Sequence, residues 1–312
     1  VVAPQSTGPD LCTIIAPEET QPESDEAFLQ RVLTATDSAV AKARAQSYVT
    51  LRFVSDKPVG LTVSSDWHVT PKSATDLRAL FAYADAVGAA EGLWALAVGD
   101  LGDNPIKHKP TDAKDVPEEF RILDLLVGRF KGRLVGMTDG NHDAWLRALV
   151  GLDHLKLLAE RHHVHYAPDE LIYVVEIVSP TTGETTARWV IATRHKYRRH
   201  SALNITHACW RWLEEMVNEW PTDTEGRTLL PDALCIGDNH VAAVETRHPG
   251  PRTVIGVRMG AWQHSTSFSR GLGFPGYRPT APVLILPPTR AHNIQGFADY
   301  QEGIRALQHA RG

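Results

Sequence analysis

The sequence holds few cysteines, no long apolar run and no excess of positive charge, and each shortage narrows what the chain can be. Its three cysteines, Cys12, Cys209 and Cys235, are odd in number and far apart. No CxxC or zinc-ribbon spacing occurs, which speaks against a disulfide-stapled scaffold and leaves buried thiols of a reducing compartment as the expectation. No apolar stretch approaches the roughly 20 residues that cross a bilayer, so no membrane partner is expected. The formal net charge is −5 over 312 residues. No global basic field therefore marks nucleic acid as the partner, although a local patch can differ in sign from the whole. The first residues carry neither an n-region nor an h-region, and they lack Met, which fits a chain that begins inside a longer product. Together these absences make the cytoplasm the expected location.

What is there reads as a globular α/β protein. Hydrophobic residues make up 43% and charged residues 22% of the chain, the balance of a foldable soluble domain. Residues 1 to about 26, with IAPEETQPESDE, are an extended arm by composition. From Ala27 to about Gln46 the spacing of Leu29, Val32, Leu33 and Val40 predicts a helix, with Thr36 interrupting its apolar side. After residue 46 no Pro/Gly linker divides the chain, and no long-period repeat is visible. Short apolar runs then end abruptly in polar clusters: VGLTVSSDWH (59–68), LWALAVGD (93–100), GRLVGMTDGNHD (132–143), RWVIATRH (188–195) and ALCIGDNH (233–240). Helical stretches such as ATDLRALFAYADAVGAAEG and EFRILDLLVGRF lie between them. Strands alternating with helices predict an α/β sheet, whose sites gather beyond the strand carboxyl ends. LIYVVEIVS, RTVIGVRMG and APVLILPP read as further strands.

Three of the polar clusters carry metal-ligand chemistry. Asp66 and His68 are two apart at a strand end, and in extended backbone such residues point to one side, where a hard oxygen and an imidazole can grip one ion. GDLGDN (99–104) supplies Asp100 and Asp103 between glycines that let the backbone turn sharply. GNHD adds Asn141, whose amide oxygen suits a hard cation, and His142, which titrates near neutrality as a general acid must. Each cluster alone is also a turn or a helix cap.

In order, DxH, GDxxD and GNHD resemble the pattern of the calcineurin-like metallophosphoesterases, DxH…GDxxD…GNH[DE]…H…GHxH, over roughly Leu61 to His240. The resemblance implies a four-layer α/β/β/α sandwich with two central mixed β-sheets. It implies that Asp66 and His68 are ligands of a first metal, that Asp100 bridges two metals, and that Asn141 and His195 serve the second. It implies His142 beside the scissile phosphate, with Asp103 orienting it. The last motif departs from the family: GDNH keeps His240 for the first metal but puts Asp238 where the family has a second-site histidine. A carboxylate there shifts preference toward Mn2+ or Mg2+, or else leaves a weak second site, with Zn2+, Fe2+ and Ni2+ as the other candidates. By the same resemblance the chain is a hydrolase in which two ions, about 3.5–4 Å apart, make a hydroxide from water at neutral pH. The expected division is an N-terminal arm and helix (1–46), a metallophosphoesterase catalytic domain (47–290) and a C-terminal tail or helix (291–312).

Neighbouring groups point to the ester. RHKYRRHS (194–201) clusters basic side chains around His195, and Arg194, Arg198 and Arg199 are expected to hold substrate phosphates. WQHSTSFSRGLGFPGYRP (262–279) mixes Trp262, Phe268, Phe274 and Tyr277 with Arg270 and Arg278, a mixture that suits base stacking or a packed loop equally. RHHVHY (161–166) reads as a helix end running into a strand. A phosphodiesterase with nuclease-like action on DNA is the favoured expectation. A phosphomonoesterase or nucleotide and small-molecule diesterase is the alternative, and a binding protein with a degenerate metal site is the third.

Overall fold

The computed structural model describes residues 24–45, 48–71, 74–103, 115–197, 204–216, 218–264 and 278–312. The chain forms two compact units, Val1–Arg44 and Ala45–Gly312. The first contributes helix α1 (Asp25–Ala45), with Asp25 and Glu26 in its first turn, where acids complement the helix dipole. Phe28, Leu29, Val32 and Leu33 lie exposed along it. Thr36 turns its hydroxyl onto the Val32 carbonyl, 2.9 Å away, which is how a β-branched polar residue is accommodated inside a helix.

The strands of the second unit are β1 (Tyr48–Val54), β2 (Val59–Ser64), β3 (Leu93–Val98), β4 (Leu134–Thr138), β5 (His165–Ala167), β6 (Glu170–Val178), β7 (Thr185–Arg194), β8 (Ala233–Ile236), β9 (Ala243–Arg247), β10 (Val254–Arg258), β11 (Val283–Leu286) and β12 (Gln295–Phe297). Its helices are α2 (Leu77–Ala89), α3 (Asp115–Arg129), α4 (Asn141–Val150), α5 (His154–His162), α6 (His207–Glu215) and α7 (Tyr300–Arg311). One six-stranded sheet runs β1-β6-β7-β8-β10-β9 and the other β12-β11-β2-β3-β4-β5. Both are mixed. β2, β3, β4 and β5 are parallel, as are β7, β8 and β10, while β11 and β9 join antiparallel.

Side-chain alternation builds the layers. Leu171, Tyr173, Val175 and Ile177 of β6 face the core between the sheets, together with Val59, Leu61 and Val63 of β2. Their neighbours Ile172 and Val174 face outward, where Trp210 and Trp212 of α6 cover them. On the other outer face, Ala95 and Ala97 of β3 meet Leu80, Leu123, Leu126 and Leu158 of α2, α3 and α5. The order of layers is therefore helix, sheet, sheet, helix, as expected for a four-layer α/β sandwich. Among the described residues no helix is long and apolar enough to cross a membrane. Cys209 and Cys235 are free and buried, and Cys12 lies outside the described residues.

The segment 291–312 adds a strand and a helix to the second sheet. β12 pairs with β11 in the second sheet, and α7 packs on that sheet through fully buried Leu307. The reason is that Val283 and Ile285 of β11 face outward and need a cover. Gly303 lets α7 approach, since a Cβ there would collide with Val283. Asp299 caps the helix by accepting from the amides of Gln301 and Glu302 at 3.0 and 3.1 Å. Leu307→Ala is accordingly expected to cost about 2–5 kcal/mol in urea denaturation, whereas a dispensable tail would show no change.

Candidate metal centre

Both sheets deliver donors at their carboxyl ends. Asp66 and His68 follow β2, Asp100 follows β3, and Asn141 and His142 open α4 after β4, all from parallel neighbours of one sheet. His195 follows β7, and Asp238 and His240 follow β8, parallel neighbours in the other sheet. Main-chain bonds continue past the strands and hold the loops together: Asp66 N donates to Gly99 O at 3.1 Å, His68 N to Asp100 O at 2.9 Å, and Gly99 N to Thr138 O at 3.0 Å.

Three overlapping triplets result, Asp66–His68–His240, His68–Asp100–His142 and Asp66–Asp100–His195, in each of which the donor atoms lie within 4.8 Å of one another. Asp66 Oδ1 is 3.2 Å from His240 Nε2 and 3.8 Å from His68 Nε2. Its other oxygen accepts from Ser65 Oγ at 2.6 Å and from the Asp238 amide at 3.1 Å. Asp100 Oδ1 accepts the His142 amide at 2.9 Å, at the start of α4, where helix amides favour negative charge. Asp103 Oδ1 stands 3.4 Å from His68 Nδ1 and 3.6 Å from His142 Nδ1, so it faces both rings rather than His142 alone.

Asp66 Oδ1, both ring nitrogens of His68, Asn141 Oδ1 and His195 Nε2 are buried and make no hydrogen bond. Buried polar atoms are rarely left so, and a cluster of them is a reason to place a ligand there. His195 is the clearest case. Its Nδ1 lies 3.2 Å from the Val98 carbonyl, an acceptor only, so in the neutral ring Nδ1 carries the hydrogen and Nε2 presents a lone pair. That lone pair faces Asp100 Oδ2 at 3.0 Å. Two acceptors face each other at that distance only with a proton shared between them or a cation beside them. A carbonyl behind the ring is also how metal-binding histidines are fixed in orientation. Hard oxygens with imidazoles suit divalent ions of the Mn2+, Zn2+ and Mg2+ kind, so the residues present fit a metal.

The backbone is bent to make this meeting. Asp66, His68, Asp100, Asp238 and His240 all have φ between 45° and 62°, the left-handed region that costs a non-glycine residue about 1–2 kcal/mol. Gly140 is required by contact: a Cβ there would run into the Asp100 carboxylate and amide. Gly99 is required twice, by a φ of 72° and by His195 Cγ, which would lie 2.5 Å from its Cβ.

Charge is concentrated accordingly. Burial opposes the imidazolium of His195, but Asp100 and Asp66 raise its pKa to about 10. Burial likewise opposes the charged form of His68, and Asp103, Asp66 and Asp100 more than compensate, holding it well above the usual imidazole range. Burial pushes Asp100 up, yet His195, His68 and His142 bring it down to about 2. Behind them sits Asp143, which accepts the amides of Leu101 and Gly102 at 3.2 Å and of Gly140 at 3.0 Å. Burial and the charge of Asp100 raise it to about 7, against those three bonds. Asp143 thereby ties the GDxxD turn to the start of α4.

Several expected residues stand elsewhere. Arg194 is on the strand face opposite His195, since adjacent strand residues point to opposite sides, and is held by Asp169 at 2.9 Å and Glu170 at 3.1 Å. Arg198 and Arg199 lie outside the described residues, as do Phe268, Arg270, Phe274 and Tyr277. Trp262 is a core residue, fully buried, donating to Ser64 Oγ at 3.0 Å, and Arg278 pairs with Asp299 at 3.4 Å. Asp238 belongs to none of the triplets and is bound instead by Lys196. RHHVHY is a helix end and strand, with His162 Nε2 2.8 Å from Asp124. Sequence reading gave no role to Ser65 or Asp143, and counted Lys196 only among the basic residues around His195; all three have specific partners here. All three stand inside the quoted motifs, but only the pairing of loops shows what they touch.

A four-layer sandwich with these donors at the ends of these strands is the arrangement that the sequence resemblance implies. No protein-family model matches the chain and no curated protein sequence does. Solved structures similar to it include Vps29 of Entamoeba histolytica complexed with zinc, at 13% identity and a TM-score of 0.37, covering 77% of this chain and 97% of that one. TT1561 of Thermus thermophilus is similar at 12% identity and a TM-score of 0.35, over 77% of this chain and 98% of that one. GAP50 of Plasmodium is similar at 9% identity and a TM-score of 0.34, over 82% and 95%. Likeness at this level says nothing of activity.

The electrostatics give a pH test. With divalent ions removed by a chelator, His195 titrates near 10 in the folded chain and near 6.5 unfolded. Its contribution to stability is then fully present below pH about 6.5 and lost as pH rises through about 10. Asp143, raised to about 7, adds a loss at lower pH, complete just above 7. Denaturation midpoints in chelator are expected to fall from pH 7.5 to 10 and to flatten in saturating Mn2+, where the ion replaces the proton. A slope unchanged by Mn2+ contradicts this.

Proposed function

We propose that the chain is a metal-dependent phosphoesterase, with phosphate diesters as the substrate class. The observation that carries this reading is the cluster of buried acceptors lacking hydrogen bonds, Asp66 Oδ1, Asn141 Oδ1 and His195 Nε2, gathered from the ends of both sheets. Asp66, His68, Asp100 and His240 would hold one cation, and Asp100, Asn141, His195 and Asp238 a second. Bound divalent ions supply Lewis acidity, which lowers the pKa of water and offsets phosphate charge.

The chain's own groups do the rest. His142 stands at the rim, its ring 12% exposed, with Asp103 Oδ1 3.6 Å from Nδ1. A proton on Nε2 is thereby directed to a leaving-group oxygen, the task of a general acid. The carboxylate of Asp103 sets the ring's tautomer and steadies its charged form. Trp145, with its ring 4.7 Å from that of His142, packs beside the imidazole and limits its rotation. Asp143 keeps the amides of the GDxxD turn fixed, so Asp100 does not reorganise during turnover.

Support for DNA is confined to the basic stretch 194–201 of the sequence, since Arg194 and Trp262 are engaged elsewhere. Manganese is the first choice on the oxygen-rich donor set. The test is a panel of p-nitrophenyl phosphate, its bis-ester and DNA with Mn2+. Turnover of the bis-ester that falls more than about 100-fold in Asp100→Asn supports the reading, being more than loss of an outer-sphere contact produces. His142→Ala is expected to lower kcat by about 10²–10⁴-fold while retaining bound Mn2+. Monoester preference moves the substrate class to phosphomonoesters, and silence with every metal favours a binding protein.

A further inference from the structure

Among the described residues of the centre, Lys196 is a cation of the chain's own that the reading above leaves without a role. It follows His195 directly, and its Nζ lies 3.1 Å from Oδ1 and 3.0 Å from Oδ2 of Asp238. The ammonium thus straddles the carboxylate. Asp238 has a side chain 15% exposed, whereas that of Lys196 is 58% exposed. The main chain of residue 238 is at the centre, since its amide donates to Asp66 Oδ2 at 3.1 Å. Asp66 and Asp100 enter donor triplets and Asp238 does not.

We infer that Lys196 competes with the second cation for Asp238 and so makes the two halves of the centre unequal. This rests on the metal-dependent reading. In the half built on Asp66, His68 and His240, Asp66 pairs with His68 and His240, and His68 also with Asp103; the buried Arg258 acts on Asp66 and Asp238 alike, and this half takes its ion first. The half built on Asn141, His195 and Asp238 takes an ion only as the ammonium withdraws, because an ammonium and a dication against one carboxylate repel each other. Withdrawal is open to Lys196, whose flexible stem reaches solvent. The outcome is a graded affinity in which the second ion follows Mn2+ concentration while the first does not.

Calorimetric titration with Mn2+, paired with Mn2+ spin resonance to count coupled ions, tests this on the full chain. Wild type is expected to show a tight step and a weaker one. Lys196→Gln tightens the weaker step by at least about threefold, the scale of an exposed ion pair, and leaves the tight step where it was. Lys196→Arg, which keeps the charge, behaves as wild type. In an Asp238→Asn background Lys196→Gln has no effect on Mn2+ binding. Unchanged second-step affinity in Lys196→Gln overturns the inference, as does equal tightening of both steps, which is a general charge effect. A wild type that binds no Mn2+ at all overturns the metal-dependent reading with it, and is told apart by the missing first step.

Discussion

Burying carboxylates beside one another is what the rest of this structure answers to. Asp66 is wholly inaccessible and Asp100 nearly so, and a fold that removes two acids from water into one pocket needs positive charge there. The histidines show the demand directly, His195 and His68 being driven toward their charged forms by the same acids. Cations are the other answer, and the two answers exclude each other at His195 Nε2. On the proposed reading the centre is a competition between protons, an ammonium and metal ions for the same few oxygens and nitrogens.

Backbone strain has the same origin. Among the described residues, eight non-glycine positions have left-handed φ, and five of them are Asp66, His68, Asp100, Asp238 and His240. Strain concentrated on candidate ligands is the pattern of a site held by its surroundings. Here the surroundings are visible: the main-chain bonds between the β2, β3 and β4 loops, and the carboxylate of Asp143 gripping three amides. Rigid sheets supply the frame and the loops beyond them supply the chemistry, the division expected of α/β proteins.

Much of this was legible from residues alone, for definable reasons. Strand ends could be read because each apolar run stops at a polar cluster, and the two-residue alternation of β6 sorts Leu171 and Tyr173 from Ile172 and Val174 without a structure. DxH, GDxxD and GNHD are local, so spacing carries them. What spacing could not show depends on partners far along the chain. The pairing of Arg194 with Asp169 and Glu170, from the start of the antiparallel neighbour, cannot be seen from its own segment. Trp262 suited a stacking platform or a packed loop equally, and Ser64, 198 residues away, is the partner that places it in the core. The last 22 residues were expected as a tail or helix, and a three-residue strand such as β12 has too short a pattern to register. Asp143 was inside a quoted motif, yet its grip on the β3 loop is a long-range fact.

The central claim is that these side chains meet to hold divalent ions. Anomalous scattering at the manganese edge, from crystals grown with Mn2+, tests it most directly. A peak bounded by Asp66, His68, Asp100 and His240, absent in His68→Ala crystals, is the predicted result. Anomalous density found only at exposed surface acids, with His195 and Asp100 sharing a proton and no metal beside them, would contradict the account.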